Sequence, residues 1–128
     1  MAVMRERRLY PRFAWECEVQ LCGGAGDGFA ARSLDLSVAG IGLALSREAV
    51  VGLAQRGSIL CPGDHLVVVL PPTVATAMAE LALDCRVKEV RRVALHSYVV
   101  GTWFEQLDEN ARAVLEALVD AARRRRWT

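Results

Sequence analysis

Apolar residues alternate with polar ones from Phe13 onward: Phe13, Trp15, Cys17, Val19 and Leu21 are separated by Ala14, Glu16, Glu18 and Gln20. A period of two is the signature of a strand with one buried face. Gly23-Gly24-Ala25-Gly26-Asp27-Gly28 follows, and four glycines in six residues read as a turn. The next strand, over about Phe29 to Leu36, is therefore expected to pair with the first as a hairpin. A third strand starts after Gly40, with Ile41, Leu43 and Leu45 on its core face. Gly42 and Ala44 face the other way, and small residues there imply that something packs closely over them. Between 46 and 58 the pattern is weakest, although Ala49, Val50, Leu53 and Ala54 recur at helical spacing and predict a short helix over Arg47 to Gln55. Pro62-Gly63-Asp64 reads as a turn. A fourth strand carries Leu66, Val68 and Leu70 and ends at Pro71-Pro72. A long fifth strand turns Ala79, Leu81, Leu83, Cys85 and Val87 inward, and after a basic turn near Arg91-Arg92 a sixth runs from about Ala94 to Phe104. The period then changes. Leu107, Ala111, Val114, Leu115, Leu118 and Ala122 share one face of a helix, with Asp108 as its N-cap.

Six short strands and one amphipathic helix predict an all-β fold with a C-terminal helix: a small antiparallel barrel or sandwich with the helix laid across it. A parallel α/β sheet is disfavoured because helices do not separate the strands. The chain has 128 residues, enough for one domain with a core. It divides into a basic N-terminal arm over 1–12, the barrel over 13–106, and the helix with a basic tail over 107–128.

With hydrophobic residues at 53% and charged residues at 24%, intrinsic disorder and low-complexity fibres are ruled out. The longest stretch without a formal charge, His65 to Ala79, contains two prolines and is too short for a transmembrane segment. The net charge of +1 hides its distribution. Arg5, Arg7, Arg8 and Arg12 against Glu6 leave +3 in the arm, Arg123 to Arg126 add +4, and the body between them, with eight basic and fourteen acidic residues, carries −6. Fifteen of the sixteen basic residues are arginine, whose planar fork suits bidentate contacts and stacking, and Lys88 is the exception. The arginine tail complements the dipole of the last helix and reads as a solvated helix end.

Cys17, Cys22, Cys61 and Cys85 form no C-x-x-C pair and lack histidine spacing, so a zinc site is not expected, and Cys17 and Cys85 fall on strand core positions. No secretory signal is legible in the charged N-terminus, which makes a reducing, cytoplasmic setting the default. His65 opens a strand and His96 falls inside one, neither with a nucleophile and carboxylate in a recognisable order. The glycine run lacks the lysine and the strand-to-helix context of a phosphate loop. No enzyme and no cofactor is expected.

Two features stand together. Arg8 and Arg12 form R-x-x-x-R directly before the first strand, with Arg7 immediately ahead. Asp35, Ser37 and Gly40 form D-x-S-x-x-G where the second strand gives way to the third. By itself the latter reads as a turn whose side-chain oxygens bond the backbone, closed by a glycine at positive φ. In this order, on this strand pattern, the two resemble the PilZ domain family of bacterial cyclic di-GMP receptors. Gly101-Thr102-Trp103-Phe104 and Leu107-Asp108-Glu109 are similar to that family's last strand and helix start, so the resemblance covers essentially the whole chain.

The resemblance implies a six-stranded antiparallel barrel and a non-catalytic receptor. Arg8 and Arg12 would hold phosphates and guanine edges, with Asp35, Ser37 and Gly40 as the opposite wall. Arg7, just ahead of the pair, implies an intercalated ligand dimer, and an unidentified downstream protein is the implied partner, in processes such as motility or exopolysaccharide production. Lys88 and Glu89 stand where many members carry an aromatic; Lys88 or Arg86 offers a charge there instead of stacking. The ligand's chemistry agrees: arginine pairs with phosphate and with guanine O6/N7, and Asp35 suits the guanine N–H edge. Ordering about eight arm residues costs on the order of 8–16 kcal/mol. Three or four charged hydrogen bonds return about 1.5–3 kcal/mol each, and stacking about 1–3 kcal/mol per base. Micromolar binding, about −8 kcal/mol, therefore requires a partly preordered arm or extra stacked bases. Two alternatives are a ligand-independent adaptor of the same fold and a small barrel binding RNA or single-stranded DNA. The acidic body disfavours long nucleic acid, and the 46–63 segment, longer than a bare barrel needs, is a candidate partner surface.

Overall fold

The computed structural model describes residues 11–22, 28–57, 60–72 and 80–125. The strands are β1 (Phe13–Ala14), β2 (Glu18–Cys22), β3 (Phe29–Leu36), β4 (Ile41–Ser46), β5 (His65–Leu70), β6 (Leu81–Ala94) and β7 (Ser97–Phe104); the helices are α1 (Arg47–Gln55) and α2 (Glu109–Arg125). All pairings are antiparallel, and the order β3-β2-β5-β6-β7-β4 closes because β4 returns to β3. The result is a six-stranded barrel. β1 lies on the same edge of β3 as β2 and continues it. Leu21, Leu36, Ile41, Leu43, Leu66 and Leu83 fill the interior and are almost fully buried, each contributing about 1.5–3 kcal/mol.

The single strand expected over Phe13 to Leu21 is interrupted between β1 and β2 because it holds one residue more than β3 opposite it: Ala14 faces Asp35 but Glu18 faces Arg32. The Ser33 hydroxyl fills the break, donating to Trp15 O at 2.6 Å and accepting from Cys17 N–H at 2.9 Å. Trp15, Val19 and Leu21 still face the core.

Helix α1 has the predicted bounds. The Ser46 side chain caps it by accepting from Ala49 N–H, and Ala49 and Leu53 are buried, whereas Ala54 is exposed. In α2, Asp108 Oδ1 accepts from Ala111 N–H at 2.7 Å, and Ala111, Leu115, Leu118 and Ala122 are buried. That confirms the cap and the apolar face, which rests against β1.

The turn expected near Arg91-Arg92 is displaced. β6 continues to Ala94, pairing Arg91 with Val99 and Arg92 with Tyr98, and the chain reverses at Leu95-His96. His96 therefore occupies the turn and not a strand. No glycine or proline breaks the pattern at Arg91-Arg92, and the Arg92 guanidinium itself donates to Ala94 O and Leu95 O, closing the hairpin. Ala79 and most of the glycine turn after β2 lie outside the described residues.

Candidate functional site

The strand register assembles the site on the outside of the barrel. Ser33 pairs with Leu43 and Asp35 with Gly42, so β3 carries one extra residue, Leu34, at this point. Without that bulge Asp35 would share the inward face of Ser33. With it, Asp35 points outward and Leu36 takes the core position, an instance of a bulge re-aiming a side chain. A second irregularity, between Val87 and Glu89 of β6, places Glu89 opposite Gly101. Ala14, Asp35, Gly42, Gly101 and Glu89 thus form one row across β1, β3, β4, β7 and β6.

Gly42 leaves room for the aspartate. A Cβ at position 42 would lie 2.6 Å from Asp35 Oδ1, so the carboxylate rests directly on the glycine. This is the group that the small residues opposite the core face implied. Arg12 reaches the same carboxylate, Nη1 to Oδ1 at 3.1 Å, with side chains 17% and 36% exposed. A pair this accessible contributes about 0–1 kcal/mol to stability. Its larger effect is arrangement: remaining Arg12 N–H donors and Asp35 Oδ2 adjoin one small patch.

Ser37 is 2% exposed and its hydroxyl is committed to the turn, accepting from Ala39 N–H at 3.0 Å and Gly40 N–H at 3.1 Å, while Ser37 N–H donates to Gly40 O. The predicted side-chain turn is there, but the predicted positive φ is not: among the described glycines only Gly57 and Gly63 adopt it. Gly40 is required for close approach, since a Cβ would lie 2.1 Å from Thr102 O. The turn is thereby pressed onto β7, where Thr102 Oγ1 also donates to Ile41 O at 2.8 Å. Arg12, Asp35, Ser37 and Gly40 are brought together; Arg7 and Arg8 lie outside the described residues.

Arg86 is engaged elsewhere, with Glu105 at 2.7 Å and Gly63 O at 2.8 Å, so it offers no free charge to the site. Lys88 instead places its ammonium 5.9 Å from the centroid of Trp103, a half-exposed ring on β7. The exposed aromatic on this wall therefore comes from β7 and not from β6, the strand that carries Lys88 and Glu89.

A larger groove, about 660 Å³, lies between α1 and the start of β3, lined by Phe29, Arg47, Val51 and Gly52 among others. It contains none of the motif residues. A cavity of about 380 Å³ is lined by Val38 and Ala39, the two residues between Ser37 and Gly40, together with Trp103; Arg12, Asp35, Ser37 and Gly40 themselves are not in its lining.

The remaining reactive groups are dispersed. His65 and Asp84 form an exposed pair at 3.1 Å. Burial pushes the Cys85 thiol up to about 12 and also raises Cys17, which suppresses the nucleophilic thiolate. Among the described residues no three metal-ligating side chains cluster, and no helix is long and apolar enough to cross a membrane. Arg123 and Arg124 both pair with Asp120 within α2.

The family model of the PilZ domain matches residues 6–121. Similar solved structures include the PilZ domain of Escherichia coli YcgR with cyclic di-GMP, at TM-score 0.68 and 13% identity, covering 94% of each chain. The Bacillus subtilis inhibitor of motility MotI/DgrA matches at TM-score 0.68 and 15% identity, over 95% of this chain and 52% of that one. The K. pneumonia MrkH complex with cyclic di-GMP matches at 0.65 and 19% identity, over 94% and 56%. The chain spans about half the length of the latter two. No curated protein sequence matches it.

Proposed function

The chain belongs to the PilZ domain family, and on that premise we propose that it is a non-catalytic receptor for cyclic di-GMP, with Arg7, Arg8, Arg12, Asp35, Ser37 and Gly40 as its binding residues. The observation that carries this reading is the Arg12–Asp35 pair seated over Gly42 on the outer barrel wall. Guanine presents acceptors at O6 and N7 and donors at N1 and N2, so an adjoining guanidinium and carboxylate match it from both sides. A carboxylate facing phosphate alone would be repulsive; facing a guanine N–H edge it is an acceptor.

The roles divide. Arg12 and Asp35 contact the base and phosphate, Arg8 and Arg7 close from the arm, and Ser37 with Gly40 fixes the turn that backs them. Arg12 is already held by Asp35, so part of the ordering cost of the arm is met before ligand arrives. Arg7 supports two intercalated ligands per site. Closure of the arm over the barrel changes the surface presented to a downstream protein, the step through which motility or exopolysaccharide production would be regulated. The motif residues favour a ligand-dependent receptor over a ligand-free adaptor, and the acidic body favours a small dianion over RNA.

The test is titration calorimetry of cyclic di-GMP into the chain, with a generic RNA as competitor. Saturable binding at two ligands per chain, insensitive to the RNA, is expected. One ligand per chain removes the dimer, and RNA binding without a cyclic di-GMP response removes the receptor reading.

A further inference from the structure

Beside the motif turn lies a cavity that the motif residues do not line. Trp103 points outward from β7, two residues beyond Gly101 on the same face, and is 50% exposed. Its backbone runs beside the motif turn: a Cβ on Gly40 would lie 3.0 Å from Trp103 Cα. The ring borders the cavity of about 380 Å³ that is also lined by Val38, Ala39, Phe104, Leu107 and Arg112. An apolar lining, an accessible indole and one cation suit a flat, acceptor-bearing base.

Arg112 is the fourth residue of α2 and is exposed, with Asp108, Glu109 and Glu116 within one helical turn to offset the positive end of the helix. Among the described residues its guanidinium makes no hydrogen bond or ion pair, so its planar fork is available to a ligand. Gln106, also in the lining, holds a φ of +46°, a left-handed conformation that non-glycine residues adopt rarely and that concentrates at binding sites.

We propose that Trp103 and Arg112, with the Val38–Ala39 turn, form a base subsite of the cyclic di-GMP site: Trp103 stacks a guanine and Arg112 takes its O6/N7 edge. The inference rests on the receptor reading above. Asp35 and Trp103 are two strands and one outward row apart, about 12 Å between Cα atoms by strand spacing and rise, so the base on Trp103 is a different one from the base on Asp35. Lys88 comes from β6, on the side of β7 away from Asp35, and its ammonium 5.9 Å from the indole centroid adds positive charge beside the stacked base. The stacked base also supplies the binding energy that the arm's ordering requires.

Calorimetric titration with cyclic di-GMP and, separately, cyclic di-AMP tests this on the 128-residue chain and its Trp103→Ala, Trp103→Phe, Arg112→Ala and Arg112→Lys variants. Trp103→Ala should weaken cyclic di-GMP binding about 5- to 150-fold, with Trp103→Phe retaining most of the affinity because a π-face remains. Arg112→Ala should narrow the preference for cyclic di-GMP over cyclic di-AMP by about 5- to 150-fold, and Arg112→Lys should not restore it, since lysine lacks the planar fork. A merely structural role would leave that preference unchanged. Wild-type binding with unaltered affinity and selectivity in Trp103→Ala and Arg112→Ala overturns the subsite while the receptor reading stands. Absence of wild-type binding overturns both.

Discussion

Alanine at position 42 would put a methyl carbon 2.6 Å from Asp35 Oδ1 and 3.2 Å from its Cγ, where ordinary contact begins at 3.4 Å. The obstructed atoms are the end of a flexible side chain, so the carboxylate swings aside by roughly an ångström and the backbone stays in place. That motion breaks the 3.1 Å contact with Arg12. Its cost to folding is the pair itself, about 0–1 kcal/mol at this exposure, offset by about 0.5–1 kcal/mol from replacing a strand glycine. Stability should therefore stay within about 1 kcal/mol, or a Tm change of roughly 5 °C or less. Binding loses a hydrogen bond between a charged acceptor and guanine, about 1.5–3 kcal/mol, which raises Kd about 10- to 150-fold. Thermal unfolding by circular dichroism and calorimetric titration of the same sample separate the two effects. A Gly42→Ala protein with unchanged Tm and Kd within twofold of wild type would refute the positioning of Asp35. A Tm fall beyond about 10 °C would show that the backbone, and not the carboxylate, absorbs the methyl group.

Gly40→Ala meets the Thr102 carbonyl at 2.1 Å and should cost about 1–3 kcal/mol in urea unfolding; Gly40→Asn should cost at least as much, whereas at a positive-φ site asparagine would be tolerated. At Gly63, with φ +92° and open space around it, asparagine should indeed be milder than alanine. In the folded protein at pH 8, the exposed Cys61 should react with a disulfide reagent while Cys85, raised to about 12 by burial, stays intact until unfolding; peptide mass mapping distinguishes them. The hydrogen bond from Arg123 and the nearby Arg124 hold Asp120 below its ordinary range, so its folded-state contribution is present above the unfolded pKa and lost as pH falls through the depressed one. Amide-exchange protection at the α2 end should therefore weaken as pH falls through that range, Asp120→Asn should abolish this acid dependence, and an acid dependence that persists in the variant would assign it to another group.

The strand pattern was legible because most strands have one wet face, and α1 and α2 because their apolar residues recur at helical spacing. What stayed hidden was register. Ala31 and Ser33 face inward, and extending their period would bury Asp35; the buried Leu36, out of phase with both, is the trace of the bulge at Leu34. The basic pair Arg91-Arg92 was misread because arginine marks solvent exposure, and an exposed strand end looks like a turn. Gly40 was legible as a required glycine but not its reason, since close approach of Thr102 depends on a strand more than sixty residues away. The site's motif residues were identified by type and order. Trp103 and Arg112 were not, because only the barrel's closure brings β7 and the start of α2 beside the turn.

The direct measurement of the central claim is the affinity of cyclic di-GMP for the wild-type chain beside Arg12→Ala. Micromolar wild-type binding, about −8 kcal/mol, weakened about 10- to 150-fold by loss of a charged hydrogen bond, is the predicted result. No measurable wild-type affinity, or equal affinity in the variant, would contradict it.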